Sequence, residues 1–265
     1  MVNRQMVNKK RLLFILFCLL SLQGWAWGPK GHRIVAEVAY RYMSHKAVKQ
    51  VDAILGRHGM VYYAAWADEI RSDQTLYPDS YDWHFQDLDA GLSDSLIMSM
   101  LTDYPSEGGN LYRKSDSLIA VLSENPEDKD ALLFTIHLNA DRFCPMHQGH
   151  VKDLGGNKVK MKWFDQPTNL HKVWDENLID IHGWSYTEYA SKLINVYGSH
   201  FKQINETSMA DWTIFNYHVT QAIYQYQAHF DGNTYHYIYD MKATCEWQLY
   251  VAGVKLAALL NEIYK

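Results

Sequence analysis

Five metal-ligating side chains recur between positions 137 and 175: His137, Asp141, His147, His171 and Asp175. His137 and Asp141 are four residues apart, as are His171 and Asp175. Positions i and i+4 share one face of an α-helix. Imidazole and carboxylate are borderline and hard donors, a set that suits zinc. Two such pairs with His147 between them present ligands for more than one ion. His137 is flanked by Phe134, Ile136 and Leu138. A His/Asp pair in such company is expected to be buried, and a buried charge needs a partner.

Three further blocks carry chemistry. The first is Trp27-Gly28-Pro29-Lys30-Gly31-His32. A cut before Trp27 frees an α-amine with an ordinary pKa of about 7.7–8. That amine and the Trp27 carbonyl oxygen can close a five-membered chelate on a metal, which His32 would complete. The second block holds Asp68 and Arg71, three residues apart. They are either a surface ion pair, or a metal ligand beside a guanidinium that grips phosphate. In the third, His84 lies between Trp83 and Phe85, as a ligand or as a hydrogen-bonded core residue. His150 is expected to be exposed and outside any ligand set.

The elements that must position these groups read as helices. Apolar residues recur at helical spacing over His32–Met43. A second helix, Ser44–Leu55, is stopped by Gly56. Asn125-Pro126-Glu127 signals the start of a helix that runs through His137 to about Phe143, and Pro145 ends it. Gly155-Gly156-Asn157 reads as a turn, and Val159–Trp163 as a short hairpin arm. Pro167–Ile179, Tyr186–Tyr197, Asp211–His229 and Thr244–Tyr264 read as helices, and segments 71–90 and 102–112 as loops. No domain boundary stands out. The expectation is an all-α chain with one compact helical domain over 27–265.

The chain has 265 residues, of which 48% are apolar, with Tyr (19) and Trp (9) plentiful and Pro (6) scarce. That composition suits an ordered globule. Residues 1–26 read as a cleaved signal peptide. Lys9, Lys10 and Arg11 form the basic region and Leu12–Leu20 the short apolar run. Gly24 and Ala26 stand at −3 and −1 of the cut. The alternative, an uncleaved membrane anchor, is disfavoured because the apolar run is too short to span a bilayer. Cleavage removes four positive charges and no acid, taking the formal charge from −5 to −9. An acidic chain argues against a broad basic DNA-binding face, so for an anionic substrate bound zinc would have to supply the attraction. Of the cysteines that survive cleavage, Cys144 and Cys245, a small buried hydrophobe is the favoured reading. An extracytoplasmic disulfide and, for Cys144, a zinc or redox role are the alternatives.

Taken together, the blocks Trp-Gly-x-x-Gly-His, Trp-Ala-Asp-x-Ile-Arg, Trp-His-Phe-x-Asp, His-x3-Asp-x5-His, Gly-Gly-Asn and Asn-Leu-His-x-x-Trp-Asp follow one another over positions 27–175. In that order they resemble the zinc-dependent, single-strand-specific nucleases and 3′-nucleotidases of the S1/P1 type. The resemblance implies a helical fold, of a kind shared with zinc-dependent phospholipase C, holding three zinc ions. Asp68, His84, His137 and Asp141 would hold the first. Trp27, His32 and Asp141 would hold the second, with Asp141 bridging. His147, His171 and Asp175 would hold the third. Asp68, Arg71 and Asp141 would be catalytic. Arg71 would bind phosphate, Phe85 and Asp87 the nucleobase, and Asn157 would lie near the nucleotide.

Two departures mark this chain. Ala140 stands where the family usually has Gly, and Cys144-Pro145-Met146-His147 where it usually has Gln-Pro-Leu-His. The fungal and plant disulfides cannot be reproduced with Cys144 and Cys245 alone. The implied mechanism is in-line attack on phosphorus by a hydroxide bridging two zinc ions, leaving 5′-phosphates on single-stranded DNA or RNA. Single-stranded nucleic acid and 3′-nucleotides would be the substrates, and the sequence points to no stable protein partner. After cleavage the protein would have no membrane attachment and would be periplasmic or secreted. The nearest alternative is a zinc-dependent phospholipase C, disfavoured because His32 follows Trp27 so closely and the last pair ends in Asp175.

Overall fold

The computed structural model describes residues 27–73, 75–103 and 109–265. The signal-peptide expectation falls outside them. Four helices open the described residues: α1 (Pro29–Tyr42), α2 (His45–Leu55), α3 (Gly59–Tyr62) and α4 (Trp66–Ile70). A 3-10 turn (Ser80–Trp83) leads to α5 (Asp94–Met100), α6 (Leu111–Glu124) and α7 (Lys129–Asp141). Next come a 3-10 turn (Pro145–Gln148) and an antiparallel hairpin of β1 (Lys160–Trp163) and β2 (Gln166–Asn169). α8 (Leu170–Lys172), a π-helical turn (Val173–Asn177) and α9 (Leu178–Asp180) form one unbroken run. α10 (Tyr186–Tyr197), α11 (Phe201–Glu206), α12 (Met209–Ala228) and α13 (Thr234–Ile263) complete it. Among the described residues the hairpin is the one sheet, so the fold is all-α as expected.

Two helices run through the middle. In α7 every residue from Ala131 to Asp141 is buried, the mark of a helix surrounded by protein. Asp128 starts it, its carboxylate accepting from Ala131 N at 2.9 Å, a cap worth about 1 kcal/mol. In α13 every residue from Gln248 to Ala257 is buried. Asn139 Nδ2 donates to Ala252 O at 3.0 Å and ties the two together. α1 crosses α13 at Gly253, where an added Cβ would lie 2.5 Å from Val38 Cγ1. That close approach holds His32, on α1, against the interior.

The structure departs from the sequence reading in definite places. The helix expected from Pro167 begins only at Leu170. Residues 166–169 pair with β1 instead, in the register Lys162↔Pro167. Proline suits this hairpin because an edge position needs no amide donor. The turn residues Phe164 and Asp165 have φ of 45° and 64°, the two-residue reversal that suits twisted strands. α13 starts at Thr234, ten residues before the expected Thr244, because its first turns are solvated and carry no continuous apolar stripe. Tyr237 is buried among them, its hydroxyl accepting from Trp174 Nε1 at 2.9 Å, and Thr234 Oγ1 accepts from Phe164 N at 3.1 Å. α6 begins inside the segment read as a loop to residue 112, and α5 was not anticipated. His150 is buried, not exposed: it stacks on Tyr224 at 3.8 Å and faces Gln221 Oε1 at 3.0 Å.

Candidate metal centre

Each of the five expected ligand blocks arrives on a different element, and they meet. α1 brings His32, α4 brings Asp68, and the end of the first 3-10 turn brings His84. α7 brings His137 and Asp141 on consecutive turns, and the second 3-10 turn brings His147. α8 supplies His171. Asp175 lies in the π-helical turn, so the second His/Asp pair is not on a regular α-helix as its spacing suggested. π turns widen a helix locally and recur at functional sites. Gly28 N donates to Asp175 O at 2.9 Å, joining this turn to the start of the described chain.

Asp141 sits at the centre. Its oxygens lie 3.1 Å from His84 Nδ1, 3.3 Å from His137 Nε2, 3.4 Å from His32 Nε2 and 3.5 Å from His147 Nδ1. Asp68 lies 3.7 Å from His84, 3.8 Å from His137 and 4.0 Å from His32. The His32 and His137 rings stack at 3.8 Å. A second centre adjoins the first. His171 Nε2 is 2.9 Å, and His147 Nε2 4.0 Å, from oxygens of Asp175. Trp27 is fully buried, its indole donating to Ala140 O at 3.0 Å beside Asp141.

Three of the histidines are oriented the same way. The Nδ1 atoms of His137, His147 and His171 face the carbonyls of Ala64 (2.8 Å), His84 (2.5 Å) and Gly155 (2.7 Å). A backbone acceptor on Nδ1 fixes the tautomer and leaves Nε2 to ligate. These carbonyls could not be named from sequence. Gly155 has φ of 60°, and an added Cβ would meet Met146 O at 2.4 Å, so the Gly-Gly turn is needed to bring its carbonyl to His171.

Many of the converging atoms have no hydrogen-bond partner: both nitrogens of His32, both oxygens of Asp68, His84 Nε2, Asp141 Oδ1 and Asp175 Oδ2. Buried polar atoms are nearly always paired, and unpaired buried charge is costly. Cations would satisfy the carboxylate oxygens and His32 Nε2, which faces Asp68 and Asp141, so the donor set fits metal. Ligand atoms within 4.8 Å of one another occur in His32/His137/Asp141, in Asp68/His84/His137 and in Cys144/His147/Asp175. The charges respond to one another. Burial opposes ionisation of Asp141, but His137 and His147 outweigh it and hold its carboxyl well below the usual range. Burial likewise opposes charge on His137 and His171. Asp141 beside the one and Asp175 beside the other win, raising both to about 9. Burial lowers His32 well below its ordinary value and lowers His147 too.

The expected substrate groups surround this cluster unevenly. Arg71 Nη1 is 3.7 Å from Asp68 Oδ1, and its guanidinium lies 5.9 Å from the Tyr81 ring centroid. Phe85 is half-buried and meets Tyr81 edge-on at 6.0 Å. Gly109 packs under it, since a Cβ there would lie 2.7 Å from Phe85 Cδ2. Asp87 is buried close to Gly155 and His171, and burial pushes its carboxyl up to about 8. Asn157 is not drawn into the cluster. Its amide donates to Leu154 O at 2.9 Å, and it lines a groove beside the hairpin with Lys160, Lys162 and Trp163.

Cys144 and Cys245 are both free and buried, so no disulfide forms between them. Cys144 is nevertheless more than a small apolar filler, since its thiol donates to Asp175 Oδ1 at 3.1 Å.

Comparison with known proteins agrees with this geometry. Residues 27–265 match the S1/P1 Nuclease family. Endonuclease 3 of Arabidopsis thaliana is 27% identical over 265 aligned residues, covering 90% of this chain and 89% of the relative. Nuclease P1 of Penicillium citrinum is 31% identical over 182, covering 63% and 65%. Nuclease S1 of Aspergillus oryzae is 29% identical over 180, covering 63% and 60%. The chain belongs to the S1/P1 nuclease family and is a metal-dependent hydrolase acting on phosphodiester bonds.

Proposed function

We propose that the protein is a zinc enzyme that cuts single-stranded DNA and RNA to 5′-phosphorylated products and removes the phosphate of 3′-nucleotides. The observation that carries this is the set of buried, unpartnered imidazole and carboxylate atoms converging around Asp141 and Asp175. In this reading Asp68, His84, His137 and Asp141 would hold one zinc ion. The amine and carbonyl of Trp27, with His32 and Asp141, would hold a second, and His147, His171 and Asp175 a third. Bound there, zinc supplies Lewis-acid charge for phosphoryl oxygens and acidifies water towards neutral pH.

The rest falls to the chain's own groups. Arg71, oriented by Asp68, takes a phosphoryl oxygen by charge-assisted hydrogen bonds. Phe85 offers one face for a base, a stack worth about 1–3 kcal/mol. Asp87, buried beside Gly155 and His171, would meet a base edge by hydrogen bonding. A base paired inside a duplex reaches neither, which gives the single-strand preference. The mature chain would begin at Trp27 after removal of residues 1–26 and function in the periplasm or the medium. Among the described residues no helix is long and apolar enough to cross a membrane.

The test is an assay of the zinc-loaded protein on single-stranded DNA, duplex DNA, 3′-AMP and phosphatidylcholine. Cleavage of single strands and 3′-AMP, abolished by chelation and restored by zinc, is expected. Turnover of phosphatidylcholine alone would overturn the reading.

A further inference from the structure

Cys144 stands where the family usually has glutamine, and the fold gives it a definite place. α7 ends at Asp141, and Cys144 N donates to Asp141 O at 3.0 Å. Pro145 then opens a 3-10 turn in which His147 N donates to Cys144 O at 3.0 Å. Residues three apart in such a turn project to one side, so the thiol and the His147 ring face the same point. Sγ is fully buried and 3.1 Å from Asp175 Oδ1. The other oxygen of Asp175 is buried without a hydrogen-bonding partner, 2.9 Å from His171 Nε2 but out of hydrogen-bond geometry.

We propose that Cys144 is a thiolate ligand to the metal held by His147, His171 and Asp175, an assignment that rests on the metal reading given above. Tetrahedral zinc with bonds of about 2.3 Å to sulfur and 2.0 Å to oxygen sets those two ligand atoms about 3.5 Å apart. Here they are 3.1 Å apart, and the Cys144, His147 and Asp175 donor atoms all lie within 4.8 Å of one another. Ligation replaces the S–H bond by a sulfur–metal bond, and the proton leaves to the buffer. Four protein side chains would then surround this ion, one more than His147, His171 and Asp175 supply. Sulfur also shifts its preference towards softer ions. A glutamine at this position offers neither property.

Cobalt(II) replacement of the metals tests this by absorption spectroscopy, independently of turnover. The wild-type protein is expected to show a near-ultraviolet sulfur-to-cobalt charge-transfer band. Cys144→Ser should lose that band while keeping the visible bands of the remaining cobalt, and Cys245→Ser should keep both. The wild-type spectrum decides even where a variant folds poorly. Bound cobalt without the charge-transfer band, or a band that survives Cys144→Ser, would show the thiol to be only a hydrogen-bond donor to Asp175 and overturn the assignment. Failure to bind cobalt at all would remove the metal reading itself, and the assignment with it.

Discussion

Asp141 is the residue on which the centre turns, with four histidines within 3.5 Å of its two oxygens. Asp141→Asn keeps its size but halves its capacity to bind cations. Metal content should fall, and cleavage of single-stranded DNA should drop about a hundredfold or more, since metal-bound charge contributes several kcal/mol to such transition states. Full activity with full metal content would contradict the bridging role. Asp87 lends itself to a separate test. Burial raises its carboxyl from 3.8 to about 8 in the folded state, so the folded chain favours the neutral form. Its contribution to stability is complete below pH 3.8 and is lost as pH rises through about 8. In protein stripped of metal, Asp87→Asn should therefore flatten the fall in melting temperature between pH 5 and 8. An unchanged slope would show that the carboxyl titrates normally.

At the scale of elements, α1 and α13 approach so closely at Gly253 that no side chain fits between them. Gly253→Val should destabilise the fold by about 1–3 kcal/mol, the cost of overpacking a tight interface. Chemical denaturation would measure it, and a neutral result would mean the helices can separate freely. The stretches that carry the candidate ligands, and that the fold brings together, were legible in the sequence because metal chemistry would fix residue type and spacing there. His137 and Asp141 do sit one α-helical turn apart. The π turn under Asp175 was not legible, because nothing in Trp174-Asp175-Glu176 distinguishes a π turn from an α turn. Pro167 was read into a helix, although Val159–Trp163 was read as a hairpin arm, because the Phe164-Asp165 reversal carries no glycine to signal the turn. The carbonyls of Ala64, His84 and Gly155 stayed hidden for a related reason: any residue can offer one, so only the folded path identifies them.

For the molecule as a whole, the start of the described chain is part of the interior. Trp27 is fully buried against Ala140, and Gly28 is bonded to the turn that carries Asp175. Extra residues before Trp27 would cap the amine that the account uses as a ligand. A chain extended there should lose metal and nearly all activity, and normal turnover from it would take Trp27 out of the centre. The most direct measurement is the metal content of the fully active enzyme beginning at Trp27, by plasma mass spectrometry. Three zinc ions per chain are expected, and a fully active preparation with less than one metal ion per chain would contradict the account.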